Sequence, residues 1–436
     1  MVRVGAGWRV RVHRANHSNG HPFHPTDLEV EEEVFERDYD RLVVCSGLHN
    51  LPRIPEVEGL DTFTGRVLHS SAFRDADDFA GQRVVVVGSG ESGSDIALLV
   101  ARTAAQCFVS MRSAPGTLFP KWIEGNTPDI RDDRLTYNLS RVFKPVILRG
   151  QRRFFYKQTE DTELFRWAAD SNFNNDRTPF NSNACKSFGI PEAVVRHGAQ
   201  TRPELASIDG STVRFADGTR ADVDAIVFCT GFKRVFPFFE EAVAQQLVGI
   251  NHLWKNSVHP DLGDALFLVG FGRPHQINLV TVAELQARMV AQVIGGRKPL
   301  PSPEAMRATI EADRRFMRTH YGERFEQNPA LVDFLYYTLG VAKFIGCDVP
   351  VVESLRKHPR LGLKLLYSGL NGAQFRLQGP GSNWELASKT VLNTPQFQNW
   401  PNAVLRWSVL SWLTAASKVA STVKPELRSI HAQARP

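Results

Sequence analysis

Three glycines spaced as Gly88-x-Gly90-x-x-Gly93 follow the run Val84-Val85-Val86-Val87 and precede an apolar stretch, residues 96–105. A strand, a glycine turn and a helix in that order make an anion site. The first glycine permits a tight turn, the second lets backbone approach a pyrophosphate, and the third lets helix and strand pack closely. Free amides at the helix start then hold phosphate oxygens. The candidate contact residues are Gly88, Ser89, Gly90, Glu91, Ser92, Gly93, Ser94 and Asp95. Ser92 and Ser94 can add hydroxyl donors, and Asp95 lies in the first helical turn. A glycine-rich turn without a ligand is the plain alternative.

The next strand, residues 107–111, leads into Ser110-Met111-Arg112-Ser113. An NAD site usually carries Asp or Glu near this point, about 20 residues past the turn, to accept from the ribose 2′-hydroxyl. Here no acid stands to repel a 2′-phosphate. Arg112 offers a planar fork to it and Ser113 a further donor. The residues favour NADPH over NADH; the alternative leaves Arg112 as a solvated charge at a strand end.

Several elements must position this turn. Residues 8–13 alternate like a half-buried strand, and residues 28–36 and 41–45 read as further strands. The run Leu42-Val43-Val44-Cys45-Ser46-Gly47 is a buried strand stopped by glycine. Pro52-Arg53-Ile54-Pro55 then reads as a crossover between units. Residues 122–186 are aromatic and basic with helical stretches, and look like an insertion. A hairpin is expected at 210–218 and a buried strand at 225–229, ending in Cys229-Thr230-Gly231-Phe232. Two strands ending alike in a small polar residue and glycine bracket one α/β unit, as if one nucleotide-binding domain were inserted into another. A further core strand is expected at 266–270 and a helix at 282–293.

The chain has 436 residues, 52 of them basic and 46 acidic, for a net charge of +6. With 28 Phe and 8 Trp it has too much apolar side chain to stay unfolded. Its basic residues are scattered, the densest pair being Arg152-Arg153, and no clustered stripe marks a nucleic-acid surface. A phosphate-bearing cofactor accounts for the excess as well as solubility does. Five cysteines, Cys45, Cys107, Cys185, Cys229 and Cys347, have no metal-ligand spacing and suit a reducing, cytoplasmic compartment. His13, His17, His21 and His24 would share a helical face, but Asn19-Gly20 and Pro22 argue for a loop, so no metal site is expected. No stretch is long and apolar enough to span a membrane. Residues 403–416, with Trp407 and Trp412, read as an ordinary amphipathic helix, with peripheral membrane contact as the alternative.

The motifs together resemble the flavin-containing monooxygenases. Phe63-x-Gly65-x-x-x-His69-x-x-x-Phe73 is similar to the family signature and precedes the glycine turn as it does there. Cys229-Thr230-Gly231-Phe232, Glu284-Leu285-Gln286-Ala287-Arg288 and Phe375-Arg376-Leu377-Gln378-Gly379-Pro380-Gly381 resemble later family motifs. The resemblance covers nearly the whole chain. It implies an α/β fold of two nested Rossmann-like dinucleotide-binding domains, with the FAD domain incomplete at its N-terminus, and a mainly helical C-terminal region. The implied division is 1–80 (partial FAD-binding), 81–230 (NADPH-binding with a helical insertion), 231–330 (return to the FAD domain) and 331–436 (helical).

The resemblance further implies FAD and NADP as cofactors and oxygenation of a small amine or sulfide by O2 through a hydroperoxyflavin. Baeyer–Villiger or N-hydroxylating chemistry, or a non-catalytic NADP-binding remnant, are the alternatives. A homo-oligomer is left open. The departure lies at the start. Val4-Gly5-Ala6-Gly7 has Val10 where a third glycine should be, and a strand follows where a helix should. The expectation is an N-terminally truncated chain. No acid–base cluster stands out, so no catalytic side chain is singled out. His69 suits a structural bond between domains as well as a chemical role, and His275 and Gln276 follow a strand end where a loop could approach a flavin.

Overall fold

Valine-rich segments of four or five residues build the centre of the molecule. The computed structural model describes residues 1–16, 29–112, 117–122, 125–134, 137–138, 161–173, 184–275 and 277–395. Strands β1 (Val2–Val4), β2 (Gly7–Asn16) and β3 (Glu29–Tyr39) form an antiparallel sheet. Val4 pairs with Gly7, so Gly5-Ala6 is a hairpin turn, with Gly5 at φ 58°. The expected strand at 8–13 is therefore present, inside β2. Next come β4 (Leu42–Val44) and β5 (Leu51–Pro52).

A five-stranded parallel sheet follows. It contains β6 (Arg66–His69), β7 (Arg83–Val87), β8 (Gln106–Ser110), β11 (Gln200–Arg202) and β15 (Ala225–Phe228), in the order β11-β8-β7-β15-β6. Helix α1 (Glu91–Thr103) joins β7 to β8; it starts five residues earlier than its apolar stretch suggested. Between β8 and β11 lie β9 (Thr117–Leu118), α2 (Thr162–Phe173), β10 (Ala184–Cys185) and α3 (Gly189–His197). The expected hairpin at 210–218 belongs to a three-stranded antiparallel sheet, β12 (Leu205–Asp209), β13 (Thr212–Phe215) and β14 (Arg220–Asp222). The edge strand β6 enters this sheet from the segment that precedes β7.

Strand periodicity explains the two cores on this sheet. Val84, Val86, Ala225 and Val227 face Ile96, Ala97 and Val100 of α1. Val85, Phe108, Ile226 and Phe228 face Val213 and Phe215. A sheet buried on both faces is what the unbroken valine run requires.

The chain then forms β16 (Phe232–Lys233), antiparallel to β5, and α4 (Glu241–Val248). It continues through β17 (Leu266–Leu268), parallel to β4, β18 (Arg273–Pro274) and α5 (Leu279–Ile294). The remainder is α6 (Pro303–Tyr321), α7 (Glu323–Gln327), β19 (Leu331–Val332), α8 (Phe334–Ile345), α9 (Val351–Lys357), α10 (Pro359–Tyr367) and α11 (Trp384–Asn393). Among the described residues, no helix is long and apolar enough to cross a membrane.

The later sequence motifs lock these helices together. Glu284 receives Arg376 Nε at 2.8 Å, while Arg288 donates to the Phe375 and Pro380 carbonyls at 2.9 and 2.8 Å. Gln286 is fully buried. Its Oε1 accepts from Gly270 N at 2.8 Å, and its Nε2 donates to Lys255 O at 3.1 Å and to Tyr337 Oη at 2.9 Å. Gln286→Leu keeps the volume but strands these buried groups. It should cost about 2 kcal/mol, read as a lower urea midpoint with an unchanged slope. An unchanged midpoint would show that the amide carries no stability.

Candidate functional site

The turn after β7 is clamped by backbone on two sides. Gly88 has φ 116°, and its N–H donates to Ser110 O at 2.9 Å. A Cβ on Gly88 would lie 2.5 Å from Cys229 O, and one on Gly93 would lie 2.1 Å from Gly88 O. Neither position admits a side chain. Gly90 differs. It is the N-cap of α1, no side chain caps the helix, and nothing lies within 4 Å of where its Cβ would be. Gly90, Glu91 and Ser92 are exposed. The uncapped amides and the helix dipole thus face open space, as an anion requires.

The sheet order places this opening at the switch point, where β8 departs to one side of β7 and β15 lies on the other. Ligands of such sheets bind outside the carboxyl ends at this crevice. Ser89 stays half-buried within the turn.

Two expected contacts serve the scaffold instead. Ser94 is fully buried and its Oγ accepts from Ile190 N at 3.0 Å, docking α3 on α1. Asp95 accepts from Ser187 Oγ at 2.7 Å and from Lys121 Nζ at 3.1 Å. Sequence spacing cannot reveal this, because the partners lie on distant segments.

Arg112 sits exposed just past β8, and no described residue bonds it. A second cation was missed by sequence reasoning. Arg202 ends β11, opposite Ser110, and its carbonyl accepts Met111 N at 2.9 Å. Its guanidinium lies 5.5 Å from the Phe108 ring centre. The strand pairing, not the spacing, brings its backbone beside Met111, one residue before Arg112. Ser113, His17, His21, His24, Arg152, Arg153, Gln276 and residues 403–416 lie outside the described residues. His13 lies within β2.

The two crossovers meet at Gly231. Its carbonyl accepts from Arg53 N and from His69 Nε2, both at 2.9 Å. His69 Nδ1 accepts from Ser71 N at 3.2 Å, which fixes the proton on Nε2. Phe232 packs between His69 and His49, with ring centres 4.9 and 5.2 Å away. Burial lowers the His69 pKa, and the Gly231 bond opposes this only in part. Burial, with the charges of Arg273 and Arg234, also lowers that of His49. Gly65 supports the junction, since its Cβ would meet Asp224 O at 2.3 Å, and Phe73 stacks on Phe79 at 5.8 Å. His275 is buried, its Nδ1 accepting from Arg324 Nη1 at 2.9 Å.

Burial pushes the thiols of Cys107, Cys185 and Cys229 up to about 12, so they stay protonated. Among the described residues no group of three metal-ligating side chains converges.

The family model described as flavin-binding monooxygenase-like matches residues 26–404. The chain belongs to this flavin-binding monooxygenase family. A 4-hydroxybenzoate brominase (decarboxylating) of Pseudoalteromonas luteoviolacea is 30% identical over 84% of this chain and 71% of that protein. Flavin-containing monooxygenase 5 of Mus musculus is 28% identical over 85% and 68%. Among solved structures, S-allyl-L-cysteine S-oxygenase from Allium sativum is similar at 22% identity and a TM-score of 0.45, over 74% of this chain. The chain spans 60% of the length of that structure.

The cofactors of flavin-containing monooxygenases are FAD and NADPH. The opening at Gly90 fits a dinucleotide pyrophosphate. Among the described residues of the first unit, the Gly5–Gly7 segment makes the β1–β2 hairpin rather than a phosphate turn at a helix start.

His69 carries a pH prediction. Its folded pKa is below the unfolded value of about 6.5, so the unfolded chain binds the proton more readily. Its contribution is full above that value and is lost as pH falls toward the folded pKa. His69→Gln, which can still donate to Gly231 O, should flatten part of the loss of urea midpoint between pH 7.5 and 5.5. An undiminished pH slope would remove His69 from the balance.

Proposed function

We propose that this chain binds NADPH at the Gly88–Asp95 turn and works as an NADPH- and FAD-dependent monooxygenase on soft nitrogen or sulfur atoms of small molecules, with O2 as co-substrate. One observation carries the nucleotide assignment: an open, uncapped helix start at Gly90 on a sheet whose second strand leads into Arg112 rather than an acid. The pyrophosphate lies against Gly90 and the exposed amides of Glu91 and Ser92. Arg112 takes the 2′-phosphate, with Arg202 as the neighbouring cation and Ser113 as a further donor. Gly88 and Gly93 shape the turn, while Ser94 and Asp95 hold α1 in place.

This assigns 81–230 to NADPH and the segments 1–80 and 231–330 to the flavin side, with 331–436 as the helical region. Resemblance to monooxygenases acting on dimethylaniline supports the amine reading. The brominase at 30% identity favours a second reading, in which bromide is the co-substrate that an O2-derived oxidant oxidises by two electrons and an electron-rich phenol takes the bromine, losing its carboxyl group as CO2. Product analysis with a tertiary amine, a sulfide and 4-hydroxybenzoate with bromide separates the two.

Two substitutions test the nucleotide site. Arg112→Ala should weaken NADPH binding about tenfold or more while leaving NADH binding nearly unchanged, since a charge-assisted phosphate pair is lost. Equal weakening of both would disprove the 2′-phosphate role. Gly90→Ala should leave the melting temperature unchanged yet weaken both nucleotides, because its Cβ fills the space a pyrophosphate needs. Unaltered titrations would place the ligand elsewhere.

A further inference from the structure

A groove of about 300 Å³ lies far along the chain from the nucleotide turn, between α6 and the segment after α4. Arg307 and Arg314 stand two turns apart on one face of α6, and His252 and His259 face them. The carboxylates here are unevenly shared. Asp261 engages Arg307 and lies near His259. Arg318 is bonded to Glu326 at 2.6 Å. Glu311 sits 3.9 Å from Arg314 and 3.8 Å from Arg318, too far for a hydrogen bond.

Arg314 is thus left without a close acid, although its side chain is only 18% exposed. Its Nε is buried and has no partner, and its one hydrogen bond is a long one of 3.4 Å to His252 Nδ1. A largely buried guanidinium in this state is a costly arrangement unless an anion completes it. The histidines are oriented for the same ligand. A guanidinium only donates, so His252 Nδ1 accepts and its Nε2 carries the proton. His259 Nδ1 accepts from Asp261 N at 3.2 Å, which leaves Nε2–H as its donor too.

We propose that this groove binds a small oxyanion, the carboxylate or phosphate end of a small metabolite, with Arg314 as the principal cation and the His252 and His259 Nε2–H groups as donors. Burial first lowers the pKa of both histidines. Arg314 and Arg318 add to this at His252 against Glu311 and Glu326; at His259 Arg307 adds to it against Asp261. A bound anion reverses that balance, so binding takes up protons and tightens as pH falls through the histidine range.

The test is isothermal titration calorimetry of the full chain with inorganic phosphate and, separately, acetate, at pH 6.0 and 7.5 in two buffers of different ionisation heat. Saturable binding by at least one anion is expected. It should be about fivefold or more tighter at pH 6.0, with proton uptake, and about tenfold weaker in Arg314→Gln. Which anion saturates identifies the phosphate or carboxylate source. His259→Gln, which removes a donor and not the buried cation, should also weaken binding, and it decides the matter if Arg314→Gln does not fold. Absence of saturable binding by both anions overturns the proposal. So does binding that neither substitution changes.

Discussion

The approach of the Gly88 turn to the end of β15 governs the geometry of the nucleotide unit. Gly88 is tied to β8 through Ser110 O and pressed against Cys229 O on the other side. Gly93 rests on Gly88 O in turn. The first turn of α1 therefore has one available direction, and that direction aims its free amides into the switch-point crevice. The other helix follows from the first. A Cβ on Gly189 would lie 2.0 Å from Ser94 O, and Ser94 Oγ accepts from Ile190 N. A single close backbone contact thus sets two helices and the opening of the site.

The crossover at Gly231 is the second constraint. One carbonyl accepts from both Arg53 and His69, so the outgoing and returning chains are tied at the same atom pair spacing. His69 ends β6 on the edge of the parallel sheet, whereas Arg53 follows the short β5–β16 pairing. The signature residues Phe63, Gly65, His69 and Phe73 all serve this junction: Gly65 by close approach to Asp224, Phe73 by stacking under the sheet. Their roles are architectural. A neutral His69 donating from Nε2 is what the junction uses, and proton transfer is not needed to explain its presence.

Legibility in the sequence followed the range of each interaction. The strand–turn–helix, the buried strands at 84–87 and 225–228 and the hairpin-like start of the chain were all readable, because a local pattern determines each. The start of α1 was misjudged, since Glu91, Ser92 and Gly93 are polar or small and the helix is specified there by packing against Gly88. Ser94 was readable as a hydroxyl near a phosphate turn but not as the partner of Ile190, 96 residues away. Arg202 had no local signal at all. The role of Gln286 was equally hidden: its motif spacing suggests a helix face, while its bonds to Gly270, Lys255 and Tyr337 depend on three separate segments.

The basic excess of the chain separates into two kinds of arginine. Arg83 with Asp224, Arg376 with Glu284 and Arg288 with two carbonyls are fixed to structural partners. Their charge is spent within the fold and attracts nothing. Arg112 has no described partner and stands exposed at the carboxyl edge of the sheet. The net charge alone could not distinguish solubility from ligand binding, since both readings need only an excess of cations. What distinguishes them is position: in the site proposed above, an uncommitted guanidinium past β8 adds its field to that of the uncapped helix start, so an anion is drawn to one crevice and not to the surface at large.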